Sequence, residues 1–248
     1  MAWRGLPGTD RAGRVSPVKA AAWLGALAPG LWLAWLGWSE GFGPKPLTFV
    51  LHSFGDFAVW LLIATLAMTP LRTLSRWNAL IMARRILGNF ALGYALAHVG
   101  LYVWSEGLPK AASEIVLRVY LTIGMAALLM LAALGATSND AAVKRLGAAR
   151  WKRVHRLIYV AAALGLLHYF LQSKNDVTAA LLPAGLFLLL MAWRGLDAMT
   201  LGAHPLALVG LALVSGAATA GLEAGWYFWR SGLAPLDVLA QNLDIAYE

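Results

Sequence analysis

Seven stretches of this chain are apolar over a length close to the thickness of a bilayer, and that feature limits its fold more than any other. A helix needs about 20 mainly apolar residues to cross the hydrocarbon layer. Runs of that kind occupy residues 20–38, 47–70, 85–104, 115–137, 152–172, 177–194 and 204–229. In lipid every backbone N–H and C=O must be satisfied within the spanning structure, so runs of this length are read as helices. The expected fold is all-α, a polytopic transmembrane helical bundle. The sixth run is short and the seventh contains Glu223, so the bundle has six or seven spans. Composition agrees: only 13% of residues are charged, against about 25% in soluble domains. A soluble fold would need polar faces that these runs do not offer.

The net charge of +8 would suit nucleic acid, but the cations gather in short loops between the apolar runs. Arg4, Arg11, Arg14 and Lys19 precede the first run; Arg72, Arg76, Arg84 and Arg85 lie between the second and third. Lys144, Arg145, Arg150, Lys152 and Arg153 lie between the fourth and fifth, whereas the alternate loops carry only Lys45, Lys110 and Lys174. Cytoplasmic loops collect Lys and Arg. The expected orientation therefore has the N-terminus in the cytoplasm and, with seven spans, the tail bearing Asp237, Asp244 and Glu248 outside. The partner that this charge implies is the bilayer, and no nucleic-acid role is expected. The first run resembles a signal peptide, with Ala26-Leu27-Ala28 imitating a cleavage site. Pro29 would follow the cut and the apolar stretch continues to Trp38, so a retained helix is expected.

Ionisable residues inside a span are costly and mark function. There are five histidines, His52, His98, His155, His168 and His204, and no cysteine. Without cysteine, thiolate haem ligation, c-type attachment and Fe–S clusters are excluded. His98 lies thirteen residues beyond Arg85, about 20 Å into the membrane, and His168 fifteen residues beyond Arg153, about 22 Å from the same side. Two imidazoles at matched depth on neighbouring spans can saturate a b-type haem iron for electron transfer. His98 and His168 are therefore the expected axial pair.

His155 lies near the inner surface. A second haem there would need a partner around residues 84 and 85, and both are arginine. His155 is thus open to three roles: ligand through another partner, wall of an inner quinone or flavin site, or contact with lipid headgroups. His52 opens the second span near the outer surface, where it would bond a haem propionate, face an outer partner or simply meet water. Arg118 enters the fourth span from outside, where it would pair with a propionate or snorkel to the interface. Arg84 and Arg85 would neutralise inner anionic groups or anchor their helix. Gly88, Gly93 and Gly100 permit close approach of a helix or a flat macrocycle. His204, beside Pro205, is read as structural. No G-x-G-x-x-G fingerprint or P-loop occurs.

Four segments, 52–72, 84–103, 118–124 and 134–170, carry a family resemblance. The most specific is the last, with Thr137-Ser138, Lys144-Arg145-Leu146-Gly147, Trp151, His155, Tyr159 and His168-Tyr169. The chain resembles the MsrQ (YedZ) family, the haem-binding membrane subunits of bacterial methionine sulfoxide reductase systems, within the ferric-reductase-like transmembrane group. The resemblance implies an inner-membrane protein with haem b on His98, His155 and His168, and with His52 in a matching position. It implies FMN in some members, electrons from the quinone pool or a cytosolic flavin reductase, and delivery to a periplasmic molybdopterin enzyme, MsrP, on which methionine sulfoxide is reduced. The chain would then consist of a cytoplasmic segment (1–19), a haem-binding bundle (20–200) and an extension with a further helix (201–248). One haem is expected, with the second left open. Two departures stand out: Arg118 is followed by Val119 where relatives often have proline, and the extension is longer than in compact members. Other readings are a different b-type cytochrome or metal-ion reductase subunit and, in another class, a transporter or channel without haem.

Overall fold

The structure is a computed structural model and describes residues 8–9, 14–174 and 176–243. Arg4, Arg11, Asp244 and Glu248, counted above in the loop charges, lie outside the described residues. Every long element is helical, in the order α1 (Pro17–Ser39), α2 (Pro46–Ser75), a 3-10 turn (Asn78–Met82) running into α3 (Ala83–Glu106), α4 (Leu108–Leu117), α5 (Val119–Ala136), α6 (Asp140–Leu146), α7 (Ala148–His155), α8 (Leu157–Ser173), α9 (Thr178–Ala198), α10 (Pro205–Ser231) and α11 (Pro235–Leu243). Seven segments are long and apolar enough to cross a membrane, counting the 3-10 turn with α3 and α7 with α8. All seven runs expected from the sequence are among them, including the short sixth and the seventh with Glu223. Their large apolar side chains largely face outwards; on α10, Leu206, Leu213 and Val214 are all about two-thirds exposed or more. In water that would be untenable, and in lipid it is what a spanning helix requires.

Local chemistry sets the helix ends. Ser16 caps α1 by accepting from the Lys19 N–H, and Pro17 fills the first turn, where a missing N–H costs nothing. Proline opens α2 and α10 in the same way. The fourth apolar run, expected as one helix over 115–137, is divided at Arg118, whose backbone is extended (φ −104°, ψ 110°). Thr122 Oγ1 donates to the Ile115 carbonyl at 2.6 Å, satisfying an acceptor that the end of α4 leaves open. A proline at 119 would force this same extended backbone on residue 118. The break thus forms with Val119 at this position, without a proline to impose it.

Contacts group the chain into two units, Met1–Gly165 and Leu166–Glu248. In the first, α2 and α3 pack along their length, with α1 and α5 against α3. The core is made of small and branched residues, among them Ala22, Ala26, Leu61, Leu62, Leu87, Ala91 and Leu131. One polar contact stitches α1 to α3. The Tyr94 hydroxyl accepts from the Gly30 N–H (3.0 Å) and donates to the Ala26 carbonyl (2.9 Å). It thus stands between a donor and an acceptor that an uninterrupted helix joins directly, next to Pro29, whose ring already interrupts the ladder. A Cβ on residue 30 would lie 2.8 Å from that hydroxyl, so only glycine fits. Tyr94→Phe is expected to let Gly30 and Ala26 close on each other and to cost about 1 kcal/mol, read as a lowered thermal midpoint of the purified protein. An unchanged midpoint would mean that the hydroxyl contributes nothing.

In the second unit α9 packs on α10, where the Thr219 side chain lies against Gly185. Trp193 Nε1 donates to the Gly202 carbonyl at 2.9 Å and closes the turn before α10. The amphipathic α11 folds back on α10, with the Asn242 amide donating to Glu223 at 2.6 Å. That bond partners the carboxylate that made the seventh run look insecure.

Candidate haem-binding site

His98 is set by α2. Its Nδ1 lies 2.8 Å from the Leu51 carbonyl, which can only accept, so this nitrogen carries the proton. The tautomer is thereby fixed with the lone pair on Nε2, the opposite edge of the ring. A metal-bound histidine is usually held in this way, its other N–H donated to a carbonyl that orients the ring and raises its basicity. The ring lies against Gly55. A Cβ there would come within 3.2 Å of Nδ1 and 3.3 Å of Cε1, so the missing side chain is the space that the imidazole uses. One turn earlier on the same face of α3, Tyr94 packs against Phe54 and Phe57, with ring centroids 5.8 and 5.4 Å apart. His98 therefore sits at the end of an aromatic wall shared by α2 and α3, with Trp32 of α1 adding to it at 6.5 Å from Phe57.

His168 is half-buried on α8, within the second unit. Four residues further, on the same face, the Gln172 Oε1 is buried without a hydrogen-bond partner among the described residues. Buried acceptors are almost always satisfied, so such an atom marks room for a group that brings its own donor. A preset imidazole over a glycine cradle fits a histidine that ligates haem iron.

The remaining residues divide. His155 is stacked on Trp151 at 3.8 Å, with Nδ1 3.2 Å from the Trp151 carbonyl and Nε2 3.3 Å from Ser138 Oγ. Trp151 in turn donates its indole N–H to the Thr137 carbonyl at 2.8 Å, so the family-like Thr137-Ser138, Trp151 and His155 form one local cluster. Arg85 pairs with Asp140 at 2.9 Å, and Arg84 is half-buried beside it in sequence. Arg118 is held by Glu114, and that hydrogen bond, with a weaker one to Tyr120, pushes its pKa further up. The guanidinium that the sequence offers to a propionate thus already has a carboxylate. His52 is exposed on α2, and His204 is exposed at the start of α10, where its side chain makes no cap bond.

Sequence reasoning missed Leu51 and Gly55 as the groups that orient His98, and Tyr94 as the residue that joins three helices. Gly55 had a visible signal, a glycine inside an apolar helix three residues from a histidine. The carbonyl of Leu51 had none, since any residue supplies one.

Comparison with known proteins identifies the family. Residues 54–166 match the family described as ferric reductase like transmembrane component. Among curated relatives, the protein-methionine-sulfoxide reductase heme-binding subunit MsrQ of Ralstonia nicotianae is 39% identical over 202 residues, 76% of this chain and 93% of that protein. Proteins of the same name from Herminiimonas arsenicoxydans (40% over 156 residues, 62% of this chain and 72% of the relative) and Rhodospirillum rubrum (37% over 192 residues, 76% and 90%) are similarly close. No solved structure matches the chain. Seven apolar spans, the matched histidine-bearing segment and this degree of identity over nearly the whole length of its relatives place the chain in the MsrQ family of ferric-reductase-like membrane proteins.

Proposed function

We propose that the protein is a haem-b electron carrier of the bacterial inner membrane, taking electrons from the quinone pool or a cytosolic flavin reductase and passing them to a periplasmic molybdopterin methionine sulfoxide reductase, MsrP. The observation that carries the reading is His98, with its tautomer set by Leu51 and its ring laid on Gly55. The relatives' name, heme-binding subunit, supports the same cofactor. His98 and His168 would hold the haem iron, on the strength of their matched depth from the cationic ends of their helices and of the family resemblance. Bound haem supplies one-electron iron chemistry at a potential tuned by its ligands and surroundings.

The chain's own residues do the rest. Leu51 holds His98 as the Nε2 ligand, and Gly55 gives the ring its resting surface. Phe54, Phe57 and Tyr94 keep that side of α3 apolar, which excludes water and disfavours extra charge on the metal. Arg118 shares its charge between Glu114 and the outer surface. His155, Arg84 and Arg85 belong to the inner end, where the electron donor docks and where FMN, associated with some family members, would be expected. The positive loops set the N-terminus in the cytoplasm and the direction of flow outward. The sulfoxide itself never meets this chain.

The test is a reconstituted chain of electron transfer. The purified protein should show a low-spin b-type spectrum, be reduced by a quinol or by a flavin reductase, and be reoxidised when MsrP and a methionine sulfoxide substrate are added. A protein without haem absorbance would point to a transporter or channel. A haem that MsrP leaves reduced would point to another cytochrome or metal-ion reductase.

A further inference from the structure

The loop between α5 and α8 is the most basic segment of the described chain, and it does not remain a loop. Asn139 caps α6 by accepting from the Ala142 N–H at 2.8 Å, and Gly147 joins α6 to α7. The two short helices and the first turn of α3 border an open cleft of about 700 Å³. Into it α6 presents Asp140, Val143 and Lys144, and α7 presents Trp151 and Lys152 at the corresponding spacing. Each helix thus places an apolar side chain and, at the next position, a lysine on the cleft wall. Arg85 of α3 completes it, its charge met by Asp140. Among the described residues neither lysine ammonium is paired, so the cleft carries two uncompensated positive charges. Arg145, Arg150 and Arg153, on the same helices, do not line it. Trp151 is a fixed wall, pinned by its bond to Thr137 and by its stack on His155.

An inorganic anion would need the lysines but not the apolar residues paired with them. A cleft at the helix ends with both kinds of side chain suits an amphiphile whose phosphate lies at headgroup level. We propose that this cleft binds an anionic phospholipid, with the phosphate between Lys144 and Lys152 and the glycerol and upper acyl carbons against Val143 and Trp151. The site is independent of the haem assignment, and it ties the Trp151–His155 cluster to the lipid of one leaflet.

The full-length protein, purified in mild detergent, is offered phosphatidylglycerol or phosphatidylcholine and the retained lipid is counted by native mass spectrometry. Wild type is expected to keep phosphatidylglycerol and not phosphatidylcholine. Lys144→Gln with Lys152→Gln is expected to weaken retention by about tenfold or more, while Arg145→Gln with Arg150→Gln, an equal change of charge facing elsewhere, leaves it intact. Circular dichroism checks that both variants keep their helices, and a Val143→Ser variant provides a second reading that leaves the charge untouched. Equal losses in the two charge variants would overturn the proposal, as would wild type that holds no lipid. Displacement of phosphatidylglycerol by inorganic phosphate as readily as by more of the same lipid would also overturn it, and would reassign the cleft to a soluble phosphate compound.

Discussion

Replacing His98 by alanine is expected to reduce haem content at least tenfold, and His168→Ala to do the same. Each substitution removes an axial nitrogen, a larger insult than loss of an orienting partner, which alone costs about 10–100-fold in affinity. Alanine is well tolerated in helices, and the His98 ring is only half-buried. The variant should therefore fold and insert while losing its Soret absorbance, measured against protein concentration in membranes and after purification. His155→Ala provides the contrast. Its ring is held by Trp151 and Ser138, and with one haem on His98 and His168 the absorbance should survive. Loss of half the haem in His155→Ala would establish a second group at the inner end. An undiminished spectrum in both His98→Ala and His168→Ala would remove the basis of the electron-carrier reading.

The second large effect is expected at Gly55, against which the His98 ring rests. A Cβ at this position falls 3.2 Å from His98 Nδ1, tighter than ordinary contact, and the neighbour is an imidazole already fixed to the Leu51 carbonyl at 2.8 Å. Gly55→Ala should push the ring by a few tenths of an ångström, and the branched side chain of Gly55→Val should break the bond to Leu51 altogether. Haem affinity is then expected to fall by about 10–100-fold in Gly55→Val, with a smaller shift of the redox potential in Gly55→Ala. Helix propensity works the other way, since alanine is favoured over glycine by about 1 kcal/mol inside a helix. The alanine variant should therefore hold or gain thermal stability while its haem spectrum and potential move. Stability and spectrum falling together would instead make Gly55 an ordinary packing glycine.

Much of this was legible beforehand, because spanning a bilayer imposes a length and an apolarity that can be counted along the chain. The same counting did not see the division at Arg118, where the apolar run continues unbroken while the backbone turns extended. Hydrophobicity records which residues lipid accepts, and a break in hydrogen bonding leaves no mark on it when Thr122 repairs the lost partner. Nor did it see α6 and α7. Seven or eight residues are too few to show a period, and their charge made them read as a loop between spans. The site residues show the same split. His98, His155 and His168 announce themselves as imidazoles in or beside apolar spans. Arg85 and Arg118 were visible as charges, but their partners Asp140 and Glu114 depend on how α6 and α4 are placed.

The three histidines in or beside apolar runs, His98, His155 and His168, were determined by the sequence alone, because partial desolvation makes an imidazole there expensive and so conspicuous. Which nitrogen of His98 is offered, and on what surface its ring rests, was decided only when α2 met α3. A carbonyl and a missing side chain have no chemical signature of their own, and they act only through the atoms that packing brings against them.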